Sequence, residues 1–212
     1  MKNTFSTLAL ACVLSTPAIS FAQFPSIPGF SKSAAAPTSD LGGQQDLLVR
    51  AYVAANKDVL TANSKMAEAL GLKDAATASK ATAESLTEGA TKDNLNAADK
   101  EVSASTEAVA AELKKGPQLD AAAKATFGTG LLSLASGVSK YMGVGKNVSD
   151  MASGLSGASL MQLPKLQSAV TIVSKFPASM ATVSSALKNA IAFAQSNDIP
   201  VPADATKALA AL

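Results

Sequence analysis

From Gln44 onward the apolar residues of this chain recur at helical spacing. Leu48, Tyr52, Ala55, Val59, Ala62, Met66 and Ala69 step by 4, 3, 4, 3, 4 and 3 residues, which keeps them on one stripe of an α-helix. Gly71 is placed to end that helix in the left-handed conformation, with Leu72 packing back on its last turn. A second helix is expected over residues 73–88, with Ala76, Ala83 and Leu86 inward and Gly89 as its stop. A third spans residues 93–115 through Leu95, Ala98, Val102, Ser105, Val109 and Leu113. Lys114 and Lys115 suit its negative end, and Gly116-Pro117 closes it.

Past Pro117 the stripes continue with less charge around them. A helix from Leu119 to about Met142 rests on Phe127, Leu131, Leu134, Val138 and Tyr141. Gly128, Gly130 and Gly137 within it cost helix propensity, for which close approach of a neighbouring helix is the usual compensation. Gly143-Val144-Gly145 is expected to break the chain, and residues 147–161 to form a weak helix with Val148, Met151, Leu155 and Ala158 on one side. Pro164 is expected to open another helix, carrying Leu166, Val170 and Val173. Pro177 is expected to restart the chain, with Met180, Val183, Leu187, Ile191 and Ala194 inward. Pro200-Val201-Pro202 reads as a rigid connector and Asp204 as the cap of a last short helix. No segment alternates with period two between hairpin turns. The expected fold class is therefore all-α: an antiparallel bundle of about six to seven helices, with residues 41–212 as a single domain.

The first forty residues follow other rules. Residues 1–22 carry Lys2, an uncharged apolar run from Leu8 to Ile19, and Ser20-Phe21-Ala22, the small-residue pattern of a signal-peptidase site. Cleavage after Ala22 is expected, and the run is too short to span a membrane. The rival reading, a lipoprotein acylated at Cys12, leaves an apolar segment too short to engage the export machinery. Residues 23–40 hold Pro25, Pro28 and Pro37 with no helical period, and read as an extended tether. Phe24, Ile27 and Phe30 make it apolar. Extended apolar-Pro peptides dock into hydrophobic grooves with little ordering cost, so these three residues are candidates for partner binding.

Composition narrows the chemistry. Of 212 residues 48% are hydrophobic, yet 44 are alanine, and Leu, Ile, Val and Phe together number 48, so the core is thin. Beyond the leader there is neither His nor Cys. That removes Cys/His zinc and iron–sulfur sites, axial-His haem, the Ser-His-Asp triad, the Cys-His dyad and any disulfide. No metal or other cofactor and no catalytic residue is expected. Export then implies the periplasm or the outside of a bacterial cell. Residues 41–116 carry twenty charged side chains and residues 117–212 only eleven, none of them Glu or Arg.

Several motifs read more blandly than they look. Ser185-Ala-Leu-Lys188 spells S-x-x-K but lacks the K-T-G and S-x-N companions, and a chain with 25 serines meets such a match by chance. Gly143-Val-Gly145-Lys146 lacks the earlier glycine, the following Ser/Thr and the preceding strand of a phosphate loop, and Gly128-Thr-Gly130 completes no dinucleotide motif. Asp99-Lys-Glu101 and Glu84/Glu88 are the nearest carboxylate clusters, and each reads as a solvated face. Nucleic acid is not expected as a partner, because Arg50 is the single arginine and only Lys114-Lys115 are adjacent cations. The expected function is that of a non-enzymatic exported bundle acting by binding, as an accessory, scaffold or assembly factor for another envelope or extracellular protein. The alternative is a carrier of lipid or a small apolar ligand, or a membrane-active bundle. It would use the weakly charged half, with Phe127, Leu131, Met151 and Leu155 facing a cavity or a membrane.

Overall fold

Asp40 opens the first helix: its carboxylate accepts the Gly43 N–H at 3.0 Å and so satisfies one of the free donors of the first turn. The computed structural model describes residues 40–212, so the leader and the tether with Phe24, Ile27 and Phe30 lie outside the described residues. The described residues hold six helices and no strand. They are α1 (Leu41–Ala69), α2 (Lys73–Ser85), α3 (Lys92–Leu113), α4 (Ala121–Ser156), α5 (Gln167–Ser196) and α6 (Ala203–Ala210), with a single 3-10 turn at Leu163–Lys165. None is long and apolar enough to cross a membrane.

The predicted stops of the charged half are largely found. Gly71 takes a positive φ of 76°; its N–H bonds the Glu68 carbonyl at 3.0 Å, and the Leu72 N–H bonds the Ala67 carbonyl at 2.8 Å. Helix α2 ends at Ser85 rather than at Glu88. Leu86 turns extended, sinks into the core, and gives its carbonyl to Lys57 Nζ at 3.3 Å. Thr91 and Asn94 then form a reciprocal cap for α3.

In the weakly charged half the expected breaks are absent. Helix α4 runs unbroken for 36 residues through Gly143-Val144-Gly145. Each mid-helix glycine costs up to about 1 kcal/mol. Burial of Tyr141, Val144 and Met151 carries the stripe across them at unchanged spacing. Helix α5 likewise passes through Pro177. Pro177 is exposed, so the ladder bond that it removes is lost where water can replace it, while Ile172, Val183 and Leu187 stay buried on the far side. The inward residues of its first turns are Leu166, Ala169 and Ile172; Val170, expected inward, stands 42% exposed. Asp204 lies in the first turn of α6 and makes no cap bond, the capping position being Pro202.

Cross-contacts give the directions. Ser64 bonds the Ala76 carbonyl and Lys57 that of Leu86, so α2 runs antiparallel to α1. Tyr52 meets Asp99 and Asn63 meets Ser105, so α3 runs parallel to α1. Gly130 lies against Met66 and Gly154 against Leu41, so α4 is antiparallel. Gln45 meets Ala169 and Tyr52 meets Ser179, so α5 is parallel again. Consecutive long helices thus reverse direction around α1, which packs on α2, α3, α4 and α5.

The α1–α4 pairing is the most extensive and the tightest. A methyl group at Gly137 would stand 2.7 Å from Val59 Cγ2, 3.1 Å from the Val59 nitrogen and 3.3 Å from the Ala55 oxygen. One at Gly130 would stand 2.8 Å from Met66 Cγ and 3.1 Å from the Ala62 oxygen. The glycines therefore serve the close approach expected of them. By contrast, Gly128 has only ordinary contact with Ile199.

Candidate binding surface

The stripe of α1 is interrupted by polar residues, and these build a layer inside the bundle. Tyr52 is fully buried; its hydroxyl donates to Asp99 Oδ1 at 2.7 Å and lies 3.1 Å from Ser179 Oγ. One turn on, Asn56 donates to the Tyr52 carbonyl at 3.2 Å and accepts the Tyr141 hydroxyl at 2.8 Å. The two tyrosine rings meet edge to face, 5.5 Å between centroids. Two turns past Asn56, Asn63 donates to Ser105 Oγ at 2.8 Å and Thr106 Oγ1 at 3.0 Å. Residues from α1, α3, α4 and α5 are joined in this way.

Asp99 was read as part of a solvated carboxylate cluster. It is 8% exposed. It lies beside Ala98 on the edge of the buried stripe, one turn from both Leu95 and Val102. Its Oδ2 accepts no hydrogen bond and faces Lys175 Nζ at 3.9 Å. Burial pushes the carboxyl above its ordinary range, against the Tyr52 hydrogen bond and the Lys175 charge, which both pull it down. Burial likewise raises both tyrosines, with the Asp99 charge adding to the effect. Tyrosines held protonated in this way are neither nucleophiles nor bases near neutral pH. The layer ties the register of these helices together through its hydrogen bonds.

The other candidates fall on surfaces or in the core. Ser185 and Lys188 are both exposed on α5. Gly143 and Gly145 lie inside α4, where Lys146 pairs with Asp150 at 2.6 Å one turn on, so no loop is present to cradle a phosphate. Glu84 and Glu88 do not share a helix; Glu88 stands beyond α2 and pairs with Arg50 at 3.5 Å. Among the described residues no group of three acidic side chains gathers to hold a metal ion.

Phe127, Leu131 and Met151 are buried, and Leu155 is half-buried. The unbroken α4 separates Phe127 from Met151 by 24 residues, about 36 Å of helix at about 1.5 Å per residue. The four cannot share one cavity. Phe127 instead packs on Phe193, 5.2 Å between centroids, and Met151 sits near the opposite end of the bundle.

That opposite end carries the open features. It gathers the start of α1, the α2–α3 turn, the end of α4 and the start of α5, as the Gly154–Leu41, Gln45–Ala169 and Ser168–Ala90 contacts show. A cleft of about 640 Å³ lies there, lined by Gln45, Glu88, Lys92, Lys165 and Ser168 among others. Leu160 and Met161, in the α4–α5 connection, are 85% and 86% exposed, and Leu47 on α1 is 64% exposed. The periodic reading placed Leu160 and Met161 in a helix, and so missed them. The available signal was an apolar pair beside Pro164 in a Gly/Ser-rich connector, where no packed face calls for bulk. No known protein family, curated protein or solved structure matches this chain. The reading of this surface rests on its own chemistry.

This end carries charge of both signs. Between Asp150 and Asp198 the chain has no carboxylate and three lysines, Lys165, Lys175 and Lys188. The α2–α3 side of the same end supplies Glu88 and Asp93. The cleft between them is mixed in sign, as polar rims of protein interfaces are.

Proposed function

We propose that this is an exported, non-enzymatic helical-bundle protein that acts by binding another envelope or extracellular protein through the end of the bundle bearing Leu47, Leu160 and Met161. The observation that carries the reading is the adjacent exposure of Leu160 and Met161, 85% and 86%, the most exposed large apolar side chains among the described residues. Exposed apolar groups rimmed by polar residues mark interaction sites. The Gln45, Lys165 and Glu88 rim provides hydrogen-bonding groups of both signs. In this reading Phe24, Ile27 and Phe30 of the tether are a second contact for the partner.

The test is a paired substitution, Leu160→Ser with Met161→Ser. Neither residue supports the core, so the melting temperature stays within the error of the wild type. Recovery of the partner from the envelope fraction of the producing cells falls to background. Undiminished recovery of the same protein by the double variant rejects the surface.

A further inference from the structure

Between the first turns of α3 and α5 lies a groove of about 510 Å³, within the range of about 300–1,000 Å³ usual for small-molecule sites. Leu163 and Val170 give it an apolar wall; Asn96 and Thr171 add polar edges; Lys92 and Lys175 stand along it. No carboxylate lines it. The stripe of α5 runs through Leu166, Ala169 and Ile172, which leaves Val170 outside the core, 42% exposed in the groove.

Lys175 is fixed by what lies behind it. Its ammonium stands 3.9 Å from the buried Asp99 Oδ2, which no donor satisfies, while Tyr52 occupies the other carboxylate oxygen. Among the described residues neither Lys175 nor Lys92 donates a hydrogen bond, so both ammonium groups have donors to offer. Asp99 faces Lys175 across 3.9 Å without a hydrogen bond, and Lys92 brings a second cation to the groove. The adjoining cleft holds Asp46, Glu88 and Asp93. These carboxylates repel an anion that would slide past Lys92 and favour a head group seated at Lys175.

We infer that this groove binds a single-chain amphiphile bearing one negative charge, a long-chain carboxylate, with its chain along Leu163 and Val170 and its head at Lys175. A cation is opposed by both lysines. A nucleotide finds no aromatic wall, no arginine and no glycine-rich backbone to hold it. The groove is separate from the Leu160–Met161 pair, so the inference stands or falls independently of the protein-binding surface.

The test titrates the full protein with dodecanoate, dodecanol and dodecyltrimethylammonium, each below its micelle concentration, followed by calorimetry and by the amide NMR shifts of Asn96, Val170 and Thr171. Dodecanoate is expected to bind saturably and shift these amides, and the other two probes to bind at least about tenfold more weakly, the effect of one charge-assisted contact. Val170→Asp places a carboxylate on the exposed wall and is expected to weaken dodecanoate about tenfold at unchanged melting temperature. Lys92→Gln is expected to weaken it by a smaller factor. Absence of saturable binding, equal binding of the three probes, or undiminished binding to Val170→Asp overturns the inference.

Discussion

Helix α1 presents two unlike faces, and its neighbours differ accordingly. Toward α4 it shows Ala55, Val59, Ala62 and Met66, and α4 answers with Gly130 and Gly137, so that side chains of one helix touch the backbone of the other. Toward α3 and α5 it shows Tyr52 and Asn63, which meet Asp99, Ser105, Thr106 and Ser179 through hydrogen bonds. Around the two glycines the first contact is dispersion at short range, with the Tyr141–Asn56 hydrogen bond beyond Gly137. The second holds helices at the span of a polar side chain, and a groove stays open outside it between α3 and α5. Small residues thus seal one side of a thin core, whereas polar residues brace the other and leave it available for binding.

The sharpest way to break this contrast is to fill the sealed side. Gly137→Ala brings a methyl group against the Val59 nitrogen and Ala55 oxygen, backbone atoms that cannot step aside. Overpacking of this kind costs about 1–3 kcal/mol, more than the gain of about 1 kcal/mol in helix propensity. Urea unfolding should show a net loss of up to about 2 kcal/mol, and a gain would mean that the helices do not approach as closely as described.

The braced side is tested next. Tyr52→Phe leaves Asp99 with no hydrogen-bond donor in the protein, at a cost of about 1–2 kcal/mol. The loss should appear in stability and in faster amide exchange where α3 meets α1.

Asp99 adds a dependence on pH. Its folded carboxyl titrates above the unfolded one because of burial, with Tyr52, Lys175 and Ser179 facing the pair and Tyr141 beside it. The fold therefore holds that proton more tightly than the unfolded chain does. This contribution is complete below the ordinary carboxylate pKa and is lost as pH rises through the elevated value. Asp99→Asn removes it. Wild-type stability minus that of the variant should fall as pH rises from about 4 to about 8; a difference that rises would place the folded pKa below the ordinary range.

The smallest effect has the opposite sign. Gly143 lies on the exposed face of α4, with nothing within 4 Å of an added methyl group. Gly143→Ala should stabilise by about 0.5–1 kcal/mol through propensity and unfolded-state entropy. Two glycines of one helix, six residues apart, then respond in opposite directions.

The same two faces explain what the sequence could and could not say. The stripes of α1 and α3 and the stop at Gly71 follow from spacing and local geometry, and they were legible. So was the packing role of Gly130 and Gly137. The expected breaks at Gly143–Gly145 and Pro177 were local signals overruled by burial: Val144, Met151 and Ile172 gain more by continuing the helix than the glycines or proline cost. Asp99 flanks the α3 stripe, and a carboxylate there is indistinguishable from a surface one until Tyr52 is seen opposite it. Phe127, Leu131, Met151 and Leu155 could line one cavity only if the chain turned back at the expected break, and α4 runs straight through Gly143–Gly145. Leu160 and Met161 were hidden by a helical period that the real connection does not keep.

On the proposed reading partner binding belongs to the Leu160–Met161 end and not to the apolar positions exposed elsewhere, such as Leu132 on α4. A photo-crosslinking side chain placed at position 161, and separately at position 132, tests it in intact producing cells. The account predicts a discrete crosslinked envelope protein from position 161 and none from position 132. Crosslinks from position 132 alone, or the same product from both, would contradict it.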